Sequence, residues 1–92
     1  MSESPAPTVE MYSSAWCGFC MMAGRLLDQR GLAVQVHSVD GDPAVRAEME
    51  QRSGRRTVPQ IFIGGVHVGG CDDLHAMDRD GRLDQLLENG GA

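Results

Sequence analysis

The chain has 92 residues, a length that suits a single domain with a small core. A formal net charge of −5 argues against a nucleic-acid surface, and no apolar run approaches the roughly 20 residues needed to cross a membrane. Three cysteines cannot all pair within one chain and are too few for a disulfide-stapled secreted mini-protein.

The predicted elements begin after a polar arm. Residues 1–7 contain two prolines and neither a basic nor an apolar leader segment, which predicts a flexible arm on a cytoplasmic protein. The rest, residues 8–89, is predicted to form the domain. Its first segment, TVEMYS, alternates apolar and polar residues and therefore predicts a strand.

The pattern changes from a strand to a helix at WCGFC. After Gly18, apolar residues recur at helical spacing at Met22, Leu26 and Leu27, and Gly31 supplies a stop signal. The two cysteines of WCGFC therefore lie where the first strand hands over to the first helix.

A second strand and a second helix follow. LAVQVHSV predicts a strand with Leu32, Val34 and Val36 on one face. Asp42 is a good helix N-cap because it is followed by proline at the first helical position, and Gly54 ends the predicted helix.

The last third of the chain predicts a hairpin and then helical structure. PQIFIGGVHVGG reads as two short strands joined at Gly64-Gly65, and CDDLHAMDRDGRLDQLLEN predicts one or two short helices. The order β-α-β-α-β-β-α joins the first two strands in parallel and adds an antiparallel pair. The predicted fold class is α/β, a mixed four-stranded sheet with helices on both faces.

The CxxC pair, Cys17 and Cys20, permits three interpretations. A structural zinc site usually needs four ligands, and beyond this pair the chain offers only Cys71 and three scattered histidines. A buried structural thiol pair is the second. Redox chemistry is the preferred hypothesis, because a CxxC beside a βαβ pattern is typical of thioredoxin-like oxidoreductases.

Placement supplies the physical reason for redox chemistry. A helix N-terminus presents unpaired N–H groups and the positive end of a dipole, and both favour a thiolate. Cys17 is nearest that end, so its pKa is expected to fall below the free value of about 8.5. Cys20, one turn later, is expected to stay protonated and to resolve a mixed disulfide.

Several motifs together resemble the glutaredoxin family, in its small dithiol bacterial form. The motifs are Tyr12, the CGFC of residues 17–20, the TVPQ of residues 57–60 and the GGCDD of residues 69–73, in the family's order and spacing. The resemblance implies a thioredoxin-like fold and a glutathione-dependent oxidoreductase that acts on glutathionylated or disulfide-containing proteins. It implies glutathione as co-substrate, Cys17 and Cys20 as catalytic residues, and neither metal nor nucleotide.

The resemblance also implies a glutathione site. The residues it assigns are Tyr12, Phe19, Arg46, Thr57, Val58, Pro59, Gly70, Cys71, Asp72 and Asp73. A cis Val58-Pro59 bond would lie against the cysteines, the GGCDD segment would hold the γ-glutamyl end, and Arg46 the glycine carboxylate. From the residues alone, Pro59 equally well opens a strand, Asp72 and Asp73 cap a helix, and Arg46 is solvated.

Two departures from the family pattern bear on the ligand. Ser14 stands where the family usually has a lysine, so one positive charge is missing, and Arg55 or Arg56 is the candidate to compensate. CGFC replaces the usual CPYC and resembles the CGFS of cluster-carrying members. The alternative function is therefore a dimer that binds a [2Fe-2S] cluster through Cys17 of each subunit and two glutathiones; otherwise a monomer is expected.

Overall fold

The computed structural model describes residues 7–88. Its elements are β1 (Val9–Ser13), α1 (Gly18–Gln29), β2 (Val34–Ser38), α2 (Pro43–Ser53), β3 (Gln60–Ile63), β4 (Val66–Gly69), α3 (Cys71–Asp80) and α4 (Arg82–Glu88). The order is the predicted one, with two helices at the end. Of the predicted arm, only Pro7 lies within the described residues, and Asn89, the last residue of the predicted domain, lies outside them. Within residues 7–88, every helix is too short or too polar to cross a membrane.

The strands form one mixed sheet in the order β2-β1-β3-β4. β1 runs parallel to β2 and antiparallel to β3, with Val9 opposite both Val34 and Ile63. β3 and β4 form the predicted hairpin, and Gly64 and Gly65 at its turn have φ of 58° and 84°. Two successive positive φ values are what a two-residue hairpin turn of the favoured hand requires. The predicted sheet with flanking helices is confirmed.

The larger core lies between the sheet and helices α1, α3 and α4. Alternate residues of β1 and β3 face it, because side chains along a strand point to opposite faces in turn. The fully buried members from sheet and helices are Val9, Met11, Ile61, Ile63, Ala23, Leu26, Leu27, Cys71, Leu74 and Leu83. This face anchors α1, and α1 carries the cysteine pair.

A smaller core lies on the opposite face of the sheet, under α2. Tyr12 and Phe62, which alternate with the residues of the larger core, pack there with Val39 and Met49. The guanidinium of Arg52 lies 4.0 Å from the centre of the Phe62 ring and extends the cluster. The predicted cap is confirmed, since the Asp42 carboxylate accepts the Val45 N–H at 3.2 Å.

Two apolar residues are not where their sequence pattern places them. Met22 recurs at helical spacing with Leu26 and Leu27, but 48% of it is exposed, whereas the two leucines are buried. The buried residues of α1 are Cys20, Ala23, Leu26 and Leu27, and Met22 is rotated about 100° from Ala23. Val36 is 59% exposed, and its strand, β2, lies at one edge of the sheet.

Candidate active site

The cysteine pair lies at the start of α1, as predicted. Cys17 is the N-cap residue, half-buried, and Cys20 is buried in the first turn. The two are joined by a disulfide, with Cα atoms 5.2 Å apart. The backbone N–H of Cys20 donates to Cys17 Sγ at 3.1 Å, in the position where a capping side chain usually accepts. A free helix donor is thus directed at the first sulfur of the motif.

The loop that precedes β3 lies beside this sulfur. The Val58-Pro59 peptide bond is cis, as the resemblance implies. The carbonyl oxygen of Val58 lies 3.8 Å from Cys17 Sγ. Two segments that are 41 residues apart in the chain therefore meet at the cysteine pair.

A groove of about 330 Å³ opens at this meeting point, here called the Pro59 groove. It is lined by Phe19, Arg55, Thr57, Val58, Pro59, Gln60, Gly70, Cys71, Asp72 and Asp73. The lining thus combines the CGFC, TVPQ and GGCDD motifs, which the sequence separates. All the residues assigned to the glutathione site line it except Tyr12 and Arg46.

Asp73 carries the principal charge on one wall of the groove. Its Oδ2 accepts the Gly70 N–H at 2.9 Å and the Arg55 guanidinium at 3.0 Å. These two donors hold the pKa of the Asp73 carboxyl below its usual value, the Gly70 N–H first and Arg55 second. Only a glycine at position 69 leaves room for this carboxylate, since a Cβ there would lie 2.3 Å from Asp73 Oδ2.

Gln60 holds the loop that forms the floor of the groove, although the sequence reasoning gave it no role. It is 1% exposed. Its amide nitrogen donates to the carbonyl of Thr57 at 3.0 Å and to the Thr57 hydroxyl at 3.3 Å. Its amide oxygen lies 2.7 Å from Nε2 of His67, which therefore donates. The available signal was one amide residue at the head of the strand QIFI, whose other residues are apolar.

His67 and Cys71 complete the surroundings of the groove. Burial is the main cause of the lowered pKa of His67, and the cation of Arg55 adds to it. Cys71 is a free cysteine and is buried, and this burial raises the pKa of its thiol. Cys71 thus lies outside the disulfide, and its role in ligand binding stays a prediction.

Tyr12 and Arg46 are not among the residues that line the groove. Tyr12 is wholly buried under α2, where its hydroxyl donates to Glu48 and accepts from Arg52 at 2.8 Å. Burial raises the pKa of this phenol. Arg46 is exposed on α2 and donates to the carbonyl of Arg56 at 3.3 Å. The cation that the structure brings to the groove is instead Arg55.

Ser14 stabilises the segment that leads to Cys17. Its hydroxyl donates to Asp40 Oδ1 at 2.7 Å, and the N–H of Ala15 donates to Asp40 Oδ2 at 2.8 Å. The same two donors lower the pKa of Asp40. The residue that replaces the family's usual lysine is therefore a neutral anchor for this segment.

The comparisons with known proteins agree on one family. A family model described as "Glutaredoxin" matches residues 9–68. The chain is 52% identical to the glutaredoxin of Pseudomonas aeruginosa over 88% of its own length and 96% of that protein. It is similar to the solution structure of Brucella melitensis glutaredoxin (TM-score 0.83, 45% identity, 97% of each chain). It is also similar to the crystal structure of the buckwheat glutaredoxin–glutathione complex (TM-score 0.82, 38% identity, 94% of this chain and 81% of that one).

Proposed function

The chain belongs to the glutaredoxin family, and we propose that it is a glutathione-dependent thiol–disulfide oxidoreductase. Its family and its cysteine pair support a redox function. We propose that its substrates are protein–glutathione mixed disulfides and protein disulfides. The observation that carries the proposal is the position of Cys17 Sγ, which accepts a helix N–H at 3.1 Å and lies 3.8 Å from the carbonyl oxygen of Val58, a residue that lines the Pro59 groove.

The groove offers polar groups that suit a zwitterionic tripeptide. Asp73 would bind the ammonium of the γ-glutamyl end, and free N–H groups at the start of α3 would bind its carboxylate. Arg55 would supply the cation for a ligand carboxylate, a task for which a guanidinium is well shaped. The buckwheat relative was crystallised with glutathione, which supports the choice of ligand.

The proposed reaction exchanges one disulfide for another. Thiolate Cys17 attacks the glutathione sulfur of a mixed disulfide, the protein thiolate leaves with the bonding electron pair and takes up a proton, and Cys17 retains glutathione. A second glutathione, as thiolate, attacks that adduct, releases oxidised glutathione and restores the Cys17 thiolate. With a protein disulfide, Cys20 displaces the substrate thiol from Cys17 and closes the intramolecular disulfide, which two glutathiones reopen.

The hydrogen bond from the Cys20 N–H to Cys17 Sγ explains why this sulfur is the nucleophile. A thiolate accepts an N–H bond more strongly than a thiol does, so the Cys20 N–H stabilises the charged form. Cys20 lies deeper, in the first turn, where desolvation favours the neutral thiol. Glutaredoxin potentials of about −200 to −230 mV lie near the glutathione poise, so the exchange runs in both directions.

The cluster-binding alternative would take most of its ligands from outside the chain. Among residues 7–88, no three His, Cys, Asp or Glu side chains converge to hold a metal ion. A [2Fe-2S] cluster would find one candidate ligand per chain, Cys17, and would need glutathione and a second subunit for the rest. We propose that the chain works without a cluster, as a monomer in the cytoplasm, where reduced glutathione is supplied.

Two variants and one mass measurement test the proposal. Cys17→Ser is expected to abolish the reduction of a glutathionylated protein, whereas Cys20→Ser should retain much of it. After equilibration with oxidised glutathione, Cys20→Ser should carry one glutathione, and peptide mapping should place it on Cys17 rather than on Cys71. Equal loss of activity in both variants would contradict the scheme. Visible absorbance that disappears when glutathione is removed would favour the cluster instead.

A further inference from the structure

Four large apolar side chains remain exposed beside the cysteine pair. Trp16 is 99% exposed, Met21 63%, Phe19 61% and Met22 48%. We call these four residues the apolar rim. The inward face of α1 is already filled by Cys20, Ala23 and Leu27, so the rim residues of this helix are not displaced core residues. Exposed apolar residues that are clustered, rather than scattered singly, mark interaction sites.

Three residues of the rim, Phe19, Met21 and Met22, line a second depression. This depression has a volume of about 430 Å³ and is lined by Gly18, Phe19, Met21, Met22 and Arg25. Phe19 also lines the Pro59 groove, so one ring forms a wall of both. Cys17 immediately precedes this shared wall. A molecule joined to the groove ligand through a disulfide at Cys17 can therefore extend over the rim.

The far end of the depression is positively charged. Arg25 is the charged residue in its lining, and within the described residues no carboxylate forms an ion pair with this arginine. The first turn of α1 contains no acidic residue. An acidic side chain on a partner would complement this charge, whereas a basic one would be repelled.

We propose that the apolar rim and Arg25 bind the protein part of the mixed-disulfide substrate. The preferred substrate has an apolar residue next to the modified cysteine and an acidic residue further along the same segment. This proposal rests on the proposed function. The groove would hold the glutathione half while the leaving thiol of the protein lies over the rim. Methionines suit this role, because their flexible and polarisable side chains adapt to partners of different shape.

The test uses short peptides glutathionylated on a single cysteine. One peptide has leucine beside the cysteine and glutamate further along; a second has serine and lysine at those positions. The mixed disulfide of free cysteine and glutathione, which has nothing to place on the rim, is the control substrate. We expect kcat/KM to be about tenfold higher for the first peptide than for the second.

Two variants assign this preference to the rim. The double variant Met21→Gln, Met22→Gln should remove most of the difference between a leucine and a serine peptide that are otherwise identical, and leave turnover of the control substrate unchanged. Arg25→Glu should reverse the order of a glutamate and a lysine peptide that are otherwise identical. Both variants change exposed side chains, and circular dichroism verifies that they fold.

The results separate this proposal from the one on which it rests. Failure to turn over the control substrate would contradict the proposed function itself. Normal turnover of that substrate, together with equal rates on all peptides, would overturn only the docking proposal. A concentration-dependent dimer that the methionine variant dissociates would also overturn it, because the rim would then bind a second copy of the chain.

Discussion

Replacement of Gln60 by leucine tests the link between the core and the groove. The side chain is buried and its amide makes three hydrogen bonds, two to Thr57 and one with His67. Leucine fills nearly the same volume but makes none of them. The loop that carries Val58 and Pro59 would then lose the side-chain hydrogen bonds that hold it in place.

The size of the effect follows from these contacts. A hydrogen bond contributes about 1 kcal/mol net, and a buried donor left without a partner costs about 1–3 kcal/mol. Burial of the more apolar leucine side chain offsets part of this loss of stability. We therefore expect the free energy of unfolding to fall by about 2–3 kcal/mol, and Tm by about 10–20 °C for a domain of this size.

Urea titration of the reduced protein, followed by circular dichroism, measures this loss. Trp16 fluorescence is a poor signal because the indole is already exposed in the folded state. The double variant Gln60→Leu, His67→Leu is the matched control. It removes both partners together, so it should be more stable than the sum of the two single losses predicts by about 1 kcal/mol or more. A single loss below about 0.5 kcal/mol, or strict additivity, would refute the reasoning.

Three further variants examine the wall formed by α3 and its neighbours. Gly69→Ala should lower the free energy of unfolding, measured by urea titration, by about 2–3 kcal/mol, because its Cβ would lie 2.3 Å from Asp73 Oδ2 at a φ of +120°. Gly70→Ala is the control and should be tolerated, because the nearest contact of its Cβ would be at 3.5 Å. The lowered pKa of Asp73 means that its contribution to stability is complete above pH of about 4 and disappears as the pH falls through the folded-state value. The stability difference between the native chain and Asp73→Asn should therefore narrow in acid titrations. Arg30→Gln removes the ion pairs that join the C-cap of α1 to Asp78 of α3 and Asp84 of α4. The free energy of unfolding should fall by about 0.5–1 kcal/mol, and this difference should disappear in high salt.

The element order was predictable because each boundary carries a local chemical signal. Asp42 before proline starts α2, paired glycines form the hairpin turn, and helical spacing takes over after Gly18. The pattern did not predict that Met22 and Val36 would be exposed. The periodic pattern does not show which of two apolar phases on a helix faces the sheet, nor that β2 would be an edge strand.

The sequence motifs predicted the part of the site that depends on the course of the backbone. CGFC, TVPQ and GGCDD were expected to converge, and they form the groove. The long side chains were harder to place, because their positions depend on neighbours that are remote in sequence. Arg46 lies outside the groove while Arg55 reaches it from the loop after α2. Gln60 acquires its role only when β4 places His67 beside it.

The charge pair of the groove also constrains which ligand binds best. Ser14 brings no cation to the site, and Arg55 is already paired with Asp73. A simple anion would have to compete with Asp73 for the guanidinium, and a simple cation would have to compete with Arg55 for the carboxylate. A γ-glutamyl end brings both signs, so each partner can exchange one ionic contact for another without a net loss of charge pairing. We therefore expect N-acetylated glutathione, which lacks the ammonium, to form the adduct on Cys17 in the Cys20→Ser variant about tenfold more weakly than glutathione does. Equal adduct formation, measured by mass spectrometry, would show that Asp73 does not bind the ammonium.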